Sequence, residues 1–242
     1  MISKYISLFV LYLIGLSFFL NGFLLTRRVI LEYSNSTLPS SKPNQFDQIV
    51  FVIIDALRYD FIKPDHESST NHYRNQMRFV NELLQNKPNQ SALLRLIADP
   101  PTTTLQRLKA LTTGTLPTFI DISYNFIGYE IEEDNLLNQL KMKNYSRKMS
   151  LLGDDTWLAL YPNIAFKHLH VYPSFDVHDL DTVDNGILQH LWTVMDDHQQ
   201  HDQFSLIIAH FLGMKIFYEF DFNLFIQVLI IVVIDMVQLI LK

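Results

Sequence analysis

The stretch Gln48–Asp60, which reads QIVFVIIDALRYD, constrains the fold of this chain more than any other segment. Its apolar residues run without a break from Val50 to Ile54 and end at Asp55. An unbroken run of this kind is typical of a strand that is buried on both faces, as in a parallel sheet. The carboxyl end of such a strand is where α/β sheets bind their ligands. Asp55 is therefore a candidate metal ligand, with capping of the following turn as the alternative.

Strand-like and helix-like patterns alternate through residues 47–213. The patterns predict strands at Gln48–Ile54, Ala92–Ala98, Ser146–Leu152 and Phe204–Ala209. They predict helices at Asn71–Gln85, Thr104–Thr113, Asp134–Lys143 and Leu180–Met195. Such alternation favours an α/β fold in which a mainly parallel sheet is flanked by helices.

The composition excludes several classes of protein. Charged residues make up 18% of the 242 residues and apolar residues 48%, which is typical neither of a disordered chain nor of a nucleic-acid-binding protein. The net charge of -6 argues against a polyanionic partner. The chain has no cysteine, so a disulfide framework and thiolate chemistry are both excluded.

Residues 1–28 are predicted to form a membrane anchor. Tyr5–Leu25 is apolar and uncharged, and as a helix it would be about 31 Å long, enough to cross a bilayer. Its length and the poor cleavage context at Thr26–Arg28 favour an uncleaved anchor over a cleaved signal peptide. Residues 29–46 are predicted to be a linker, because Ser34–Pro43 is too rich in Ser and Pro to pack.

Three sequons of the form Asn-x-Ser/Thr follow the anchor. They begin at the candidate glycosylation sites Asn35, Asn89 and Asn144. Glycosylation takes place on the lumenal side of the secretory membranes, so three sequons after one anchor favour a lumenal body.

Polar clusters lie at or just after the carboxyl ends of predicted strands. They are Asp55, Thr102–Thr104 and Asp154–Asp155, and in a parallel sheet such residues meet at one edge. A carboxylate beside a hydroxyl at a helix start suits metal-assisted phosphoryl transfer, because a metal lowers the pKa of the hydroxyl. The alternative for the threonines and for the aspartates is simple capping of a helix.

Five segments resemble the lumenal domain of the GPI ethanolamine phosphate transferases, which belong to the alkaline phosphatase superfamily. The segments read QIVFVIIDALRYDF, ADPPTTTLQRLKALTTGTLPTFID, LLGDDTWLALYP, PSFDVHDLDTVDNGILQHL and LIIAHFLG, and the resemblance extends from Gln48 to Gly213. PPTTTLQRLKALTTG and DLDTVDNGIL are similar to the third of the three enzymes in particular. The resemblance implies a truncated alkaline-phosphatase-like domain after one transmembrane helix.

The resemblance also implies an activity. The family transfers phosphoethanolamine from phosphatidylethanolamine to a mannose of the GPI precursor, here the third, at the endoplasmic reticulum membrane. It implies divalent metal, with zinc as the expected ion: two ions in the full family site and at most a partial site here. It also implies a small stabilising membrane subunit as a partner. Asp55 matches a metal ligand, and Thr104 matches the nucleophile that carries the phosphoethanolamine. Residues to which we assign supporting roles are Thr103, Arg58, Asp154, Asp155 and His210.

The resemblance ends at Gly213. The family continues there with Val-Asp-His-x-Gly-His, whose Asp and last His bind the second metal, whereas this chain has Lys215 and Glu219 at those places. We therefore expect residues 214–242 to be an apolar tail from outside the family and the chain to be an amino-terminal fragment. Phe222–Leu241 is long enough for a second membrane span, although Asp235 within it would cost about 2.5–3.5 kcal/mol.

Two functional classes remain open at this point. One is the transferase, and the other is a catalytically inactive, membrane-anchored fragment that lacks the second metal site. A truncated parallel sheet would also leave an open apolar edge, which favours aggregation.

Overall fold

The computed structural model of the chain describes residues 2–23, 32–34, 48–55, 57–63, 77–97, 103–116, 130–143, 148–174, 179, 181–201, 205–213 and 228–233. The helices in these residues are α1 (Ile2–Phe23), α2 (Tyr59–Ile62), α3 (Arg78–Asn86), α4 (Thr104–Thr113), α5 (Leu136–Met142), α6 (Thr156–Leu160) and α7 (Thr182–His201). The strands are β1 (Gln48–Ile54), β2 (Met149–Asp154), β3 (His168–Tyr172), β4 (Ser205–Phe211) and β5 (Val228–Val233).

The strands form one sheet in the order β3-β2-β4-β1-β5, and every neighbouring pair is parallel. Val52 of β1 lies opposite Ala209 of β4, and Leu151 of β2 lies opposite Ile208 of β4. Because all the strands point the same way, their carboxyl ends share one edge of the sheet. The predicted class, a parallel α/β sheet flanked by helices as in an alkaline-phosphatase-like fold, is confirmed.

Alternate side chains of the central strands enter two apolar cores, one on each face of the sheet. On one face, Val52 and Ile207 belong to a core shared with Ile187 and Leu191 of α7. The other core joins the sheet to α4 and α6, and its most deeply buried members include Ile53, Leu108, Leu151, Trp157 and Ile208. Each large apolar side chain buried in this way contributes about 1.5–3 kcal/mol, which holds the helices against the sheet.

The helix that carries the threonine motif has the predicted bounds, Thr104–Thr113. It ends at Gly114, whose φ of 69° lies in the left-handed region that favours glycine. The Gly114 N–H donates to the Ala110 carbonyl at 2.9 Å and closes the last turn. The predicted helix Asn71–Gln85 corresponds to α3 at its carboxyl end, and residues 71–76 lie outside the described residues.

Two predicted strands extend further than expected. The predicted strand Ser146–Leu152 is observed as β2, and Phe204–Ala209 is observed as β4. β2 continues through Asp154 and β4 through His210 and Phe211, and all three side chains are buried. The carboxyl ends of both strands were predicted too early because the polar residues Asp154 and His210 are buried within the strands and do not terminate them.

Two predicted helices begin later than expected because capping residues precede them. The predicted helix Leu180–Met195 is α7, whose first N–H, that of Thr182, donates to Asp179 Oδ1 at 2.9 Å. The predicted helix Asp134–Lys143 is α5, and its N-cap is Asn135, whose side chain accepts a backbone hydrogen bond. In both cases the helix starts where a short polar side chain satisfies an unpaired N–H.

Within residues 47–213, one predicted strand is wrong and one strand was missed. Ala92–Ala98 was predicted to be a strand, but residues 91–97 have no regular structure, and Leu94 and Ile97 are 84% and 66% exposed. An apolar run specifies a strand only where a neighbouring strand is available to pair with it. The missed strand is β3, His168–Tyr172, whose mixed polar and apolar sequence reflects its half-buried position at the edge of the sheet.

The tail contributes a strand. β5 pairs in parallel with β1, from Ile49 opposite Val228 to Ile54 opposite Val233. The interpretation of Phe222–Leu241 as a membrane span is therefore wrong for the described residues 228–233, because a strand in the sheet is not a membrane-spanning helix. β1 therefore has a neighbour on each side, and β3 and β5 are the outer strands of the sheet in the described residues.

The amino-terminal helix agrees with the predicted anchor. Ser3–Gly22 is long and apolar enough to cross a membrane, and its side chains are exposed. Of the predicted linker, residues 32–34 are described, and the exposed Ser34 makes two hydrogen bonds to the body. Ser34 N–H donates to Asp134 Oδ2 at 3.0 Å, and Gln139 Nε2 donates to the Ser34 carbonyl at 3.3 Å.

Candidate functional site

Asp55 and Thr104 are brought together at the carboxyl edge of the sheet. Thr104 Oγ1 donates a hydrogen bond of 2.6 Å to Asp55 Oδ2. Asp55 follows the last residue of β1, and its own N–H donates to the Phe211 carbonyl of β4 at 3.0 Å. The carboxylate is therefore held by the sheet through its backbone and faces the threonine through its side chain.

Helix α4 sets the position of the threonine hydroxyl. Thr103 is the N-cap, with extended φ and ψ of -69° and 148°, and its side chain makes no capping hydrogen bond. Thr104 is the first helical residue, and its hydroxyl contacts Asp55. Leu108 on the same helix is fully buried against the sheet, which fixes the helix start relative to β1. Simple capping thus does not account for Thr104, and Thr102 lies outside the described residues.

The pair has the chemistry of part of a cation site. A carboxylate and a hydroxyl are hard oxygen ligands, and a cation bound between them favours loss of the hydroxyl proton. Asp55 is 8% exposed, so the carboxylate is shielded but still accessible. The residues that the structure describes contain no group of three or more His, Cys, Asp or Glu side chains placed to hold one metal ion. Asp55 and Thr104 therefore supply part of the ligand set that a metal ion would need.

Asp154 and His210 form a second, more deeply buried pair. His210 Nδ1 lies 2.8 Å from Asp154 Oδ1 and 3.2 Å from Trp157 Nε1. One ring nitrogen cannot donate to the carboxylate and accept from the indole at once, and the charged acceptor makes the stronger bond. His210 is thus a donor at Nδ1, and its buried Nε2 has no hydrogen-bond partner among the described residues.

The buried pair changes the acidity of its carboxyl group. Burial acts to raise the pKa of Asp154, but the hydrogen bond and charge interaction with His210 outweigh it, with a smaller effect from Thr156, and the pKa lies below its usual value. Both side chains are almost inaccessible to solvent, at 1% for Asp154 and 0% for His210. Their geometry is that of a structural pair linking β2 to β4.

The other predicted supporting residues have partners of their own. Arg58 forms a bidentate pair with Asp60 and lies over the Phe61 ring, 5.3 Å from its centroid. Asp155 Oδ1 accepts the Ser174 hydroxyl at 2.6 Å, which joins the start of α6 to the residues after β3. These contacts tie Arg58 to the start of α2 and Asp155 to the residues after β3.

One buried acid near the site was missed by the sequence analysis. Asp184 of α7 is 1% exposed, and it accepts the N–H groups of Leu212 and Gly213, the residues that follow β4. Burial raises the pKa of Asp184 above its usual value, although the two backbone hydrogen bonds act in the opposite direction. The available signal was its position between the buried Val183 and Ile187, on the inward side of the helix.

Of the candidate glycosylation sites, Asn89 lies in the described residues. It occupies an exposed turn, and the hydroxyl of the sequon serine, Ser91, donates to the Lys87 carbonyl at 2.8 Å. Asn35 and Asn144 lie outside the described residues.

Known proteins with similar sequences are named GPI ethanolamine phosphate transferases. GPI ethanolamine phosphate transferase 3, catalytic subunit, from Homo sapiens is 42% identical over 226 residues, covering 84% of this chain and 20% of that protein. GPI ethanolamine phosphate transferase 3 from Saccharomyces cerevisiae is 44% identical over 210 residues, covering 85% of this chain and 20% of that protein. GPI ethanolamine phosphate transferase 2 from Debaryomyces hansenii is 33% identical over 218 residues, covering 86% of this chain and 23% of that protein.

No family model and no solved structure matches the chain. The chain spans about a fifth of the length of the curated relatives it matches. By sequence, it belongs to the GPI ethanolamine phosphate transferase 3 family, a family of transferases.

Proposed function

We propose that this chain acts in GPI-anchor biosynthesis as the nucleophile-bearing part of a phosphoethanolamine transferase. The observation that carries the proposal is the 2.6 Å hydrogen bond from Thr104 to Asp55. The names of the relatives supply the reaction class. The site supplies what that reaction needs, which is a hydroxyl at a helix start beside a carboxylate at the edge of a parallel sheet.

Thr104 is the nucleophile in this proposal. Its Oγ1 attacks the phosphorus of phosphatidylethanolamine, the phosphorus–oxygen bond to diacylglycerol breaks, and diacylglycerol leaves as an alcohol with the proton that Thr104 lost. The acceptor, a hydroxyl on the third mannose of the GPI precursor, then attacks the phosphothreonine. The bond to Thr104 breaks, and the threonine hydroxyl is regenerated with the proton of the acceptor.

Asp55 is the proposed ligand of a divalent cation, zinc, together with Thr104. Their oxygens are close enough for one cation to contact both, and the carboxylate supplies the charge that attracts it. A bound cation would lower the pKa of the Thr104 hydroxyl and offset charge on the phosphoryl oxygens. Without it, Asp55 still orients the hydroxyl by accepting its hydrogen bond.

The membrane setting follows from α1. We place the chain in the endoplasmic reticulum membrane with its body in the lumen, since phosphatidylethanolamine and the GPI precursor are both membrane lipids. The exposed sequon at Asn89 supports that orientation, because its side chain is accessible to a glycosyltransferase. A small stabilising membrane subunit is the proposed protein partner.

A non-catalytic, membrane-anchored role is the second candidate. The observation that favours it is that the described residues contain no group of three or more His, Cys, Asp or Glu side chains placed to hold one metal ion. A cation held by Asp55 and Thr104 alone would bind weakly and leave the hydroxyl poorly activated.

One experiment separates the two candidates. The full chain in detergent micelles is incubated with Zn²⁺ and isotopically labelled phosphatidylethanolamine, and the peptide containing residues 103–107 is analysed by mass spectrometry. The transferase proposal predicts a phosphoethanolamine adduct on Thr104 that is lost in Thr104→Ala and retained in the matched variant Thr103→Ala. Absence of the adduct in the wild-type chain would instead support the non-catalytic role.

A further inference from the structure

We propose that Asp184 is a positioning residue for the site, and that its carboxylate orients the peptide group that holds the backbone of Asp55. The inference rests on the proposed function, because it gives Asp184 a part in building the site at Asp55 and Thr104. In the described residues, the hydrogen bonds of Asp184 go to backbone N–H groups that follow β4.

The first step is the contact between Asp184 and the turn after β4. Leu212 N–H donates to Asp184 Oδ1 at 2.9 Å, and Gly213 N–H donates to Oδ2 at 3.1 Å. These N–H groups lie beyond the last residue of the strand, where the sheet no longer offers an acceptor. The two carboxylate oxygens of Asp184 take the place of the strand carbonyls that would otherwise accept these N–H groups.

The second step passes through a single peptide group. The N–H of Leu212 and the carbonyl of Phe211 belong to the same planar unit, so fixing one orients the other. The Phe211 carbonyl accepts the N–H of Asp55 at 3.0 Å. The peptide between β4 and the following turn is therefore held by Asp184 on one side and holds Asp55 on the other.

The third step reaches the proposed chemistry. Asp55 is the first residue after β1, and its carboxylate accepts the Thr104 hydroxyl at 2.6 Å. A rotation of the Phe211–Leu212 peptide would remove the acceptor of the Asp55 N–H and let that residue shift. Because the hydroxyl and the carboxylate must keep hydrogen-bonding distance, a shift there alters the site although Asp184 touches neither group.

The Asp184 carboxylate is buried, unlike a capping group at the protein surface. At 1% exposed, Asp184 is desolvated, and a buried carboxylate is costly unless hydrogen bonds satisfy its oxygens. The two N–H groups of Leu212 and Gly213 satisfy both oxygens of the carboxylate, at 2.9 Å on Oδ1 and 3.1 Å on Oδ2.

The motif DLDTVDNGIL has the features needed to place this carboxylate. Asp179 caps the first turn of α7, and this fixes where the helix starts. Gly186 lets α7 approach β3 closely, because a Cβ there would lie 2.1 Å from Tyr172 Cζ. Both features bring Asp184 against the end of β4, which assigns a physical role to a sequence motif that the proposed chemistry does not use.

Amide hydrogen exchange on the full chain in detergent micelles tests the proposal. Asp184→Ala should speed exchange at Leu212, Gly213 and Asp55 by about tenfold or more, with Val52 in the middle of β1 unchanged. Acceleration at Leu212 and Gly213 without any change at Asp55 would overturn the positioning role. If Asp184→Ala does not fold, Asp184→Asn keeps the shape and one acceptor, and it should still accelerate Asp55.

Zinc titration of the same proteins links the exchange result to the site. Asp184→Asn should weaken Zn²⁺ binding by about 10–100-fold, as loss of an indirect orienting contact does at metal sites. The matched control is Asp196→Asn, an exposed acid on the same helix, which should change neither Zn²⁺ binding nor exchange. If the wild-type chain binds Zn²⁺, an unchanged affinity in Asp184→Asn would contradict the proposal.

The two failures are distinguishable. If the wild-type chain binds no Zn²⁺ and Asp55→Asn behaves like it, the proposed function fails. The exchange measurement on Asp184→Ala still decides, in that case, whether Asp184 holds Asp55.

Discussion

Asp55 and Asp154 both lie at the carboxyl ends of strands in the same sheet, but they have different partners. Asp55 accepts the hydroxyl of Thr104, and a hydroxyl is a group that reacts with phosphoryl substrates. Asp154 accepts from His210 in a fully buried pair that also contacts Trp157. The comparison shows that a position at the carboxyl end of a strand does not by itself make an acid part of the site. The partner of the carboxylate determines whether its role is chemical or structural.

The largest expected effect comes from breaking the buried pair. His210→Ala would leave Asp154 buried without its partner, a change that costs about 3–5 kcal/mol of unfolding free energy in comparable pairs. Chemical denaturation monitored by tryptophan fluorescence would measure it, since Trp157 contacts the imidazole. The matched change on the other side, Thr104→Val, removes a single hydrogen bond and should cost about 0.5–1.5 kcal/mol. Equal losses of unfolding free energy in His210→Ala and Thr104→Val would contradict the distinction between a structural Asp154 and a site residue Asp55.

A smaller effect is expected from filling the space beside the buried pair. A Cβ on Gly153 would lie 3.1 Å from His210 Cβ and 3.4 Å from its carbonyl oxygen, so Gly153→Ala must push β4 away from β2. Overpacking of this kind costs about 1–3 kcal/mol. Thermal unfolding would show the loss. A variant as stable as the wild-type chain would indicate that the strands have more room than the distances imply.

The pH dependence of stability should distinguish two buried acids, Asp154 and Asp184. The pKa of Asp154 is lowered in the folded chain, so its stabilising contribution is present above its usual value of 3.8 and is lost as the pH falls. The pKa of Asp184 is raised, so its contribution has the opposite sign and is lost as the pH rises above 3.8. The slope of unfolding free energy against pH, measured between about pH 3 and 6, should therefore be more positive in Asp184→Asn than in the wild-type chain. An unchanged slope would contradict the assigned direction.

The smallest effect is expected at an exposed acid far from both pairs. Asp197 interacts with Lys167 at 2.9 Å and His168 at 2.8 Å, and these hydrogen bonds lower its pKa to about 2. Because the group is solvent-exposed, screening by water and salt weakens its contribution to stability. Asp197→Asn should leave the melting temperature nearly unchanged at neutral pH and remove only a slight loss of stability between pH 3.8 and about 2. A large shift would mean that α7 depends on this contact to stay on the sheet.

The sequence predicted the parts of the fold that depend on local pattern. The apolar run ending at Asp55 and the start of α4 at Thr104 were both predicted at the observed residues, and together they gave the juxtaposition of the two side chains. The strand His168–Tyr172 was missed because an edge strand carries no continuous apolar run. The role of Asp184 was also not predictable, because it depends on which helix packs against the end of β4.

The central claim is that Asp55, and not the buried pair, belongs to the reactive site. Zn²⁺ titration by calorimetry on the full chain tests it most directly, with Asp55→Asn and His210→Gln compared under the same conditions. The account predicts that Asp55→Asn weakens Zn²⁺ binding by about tenfold or more, while His210→Gln, although less stable, binds with wild-type affinity wherever it is folded. Zinc binding that survives Asp55→Asn but is lost in His210→Gln would contradict the account and place the metal at the buried imidazole.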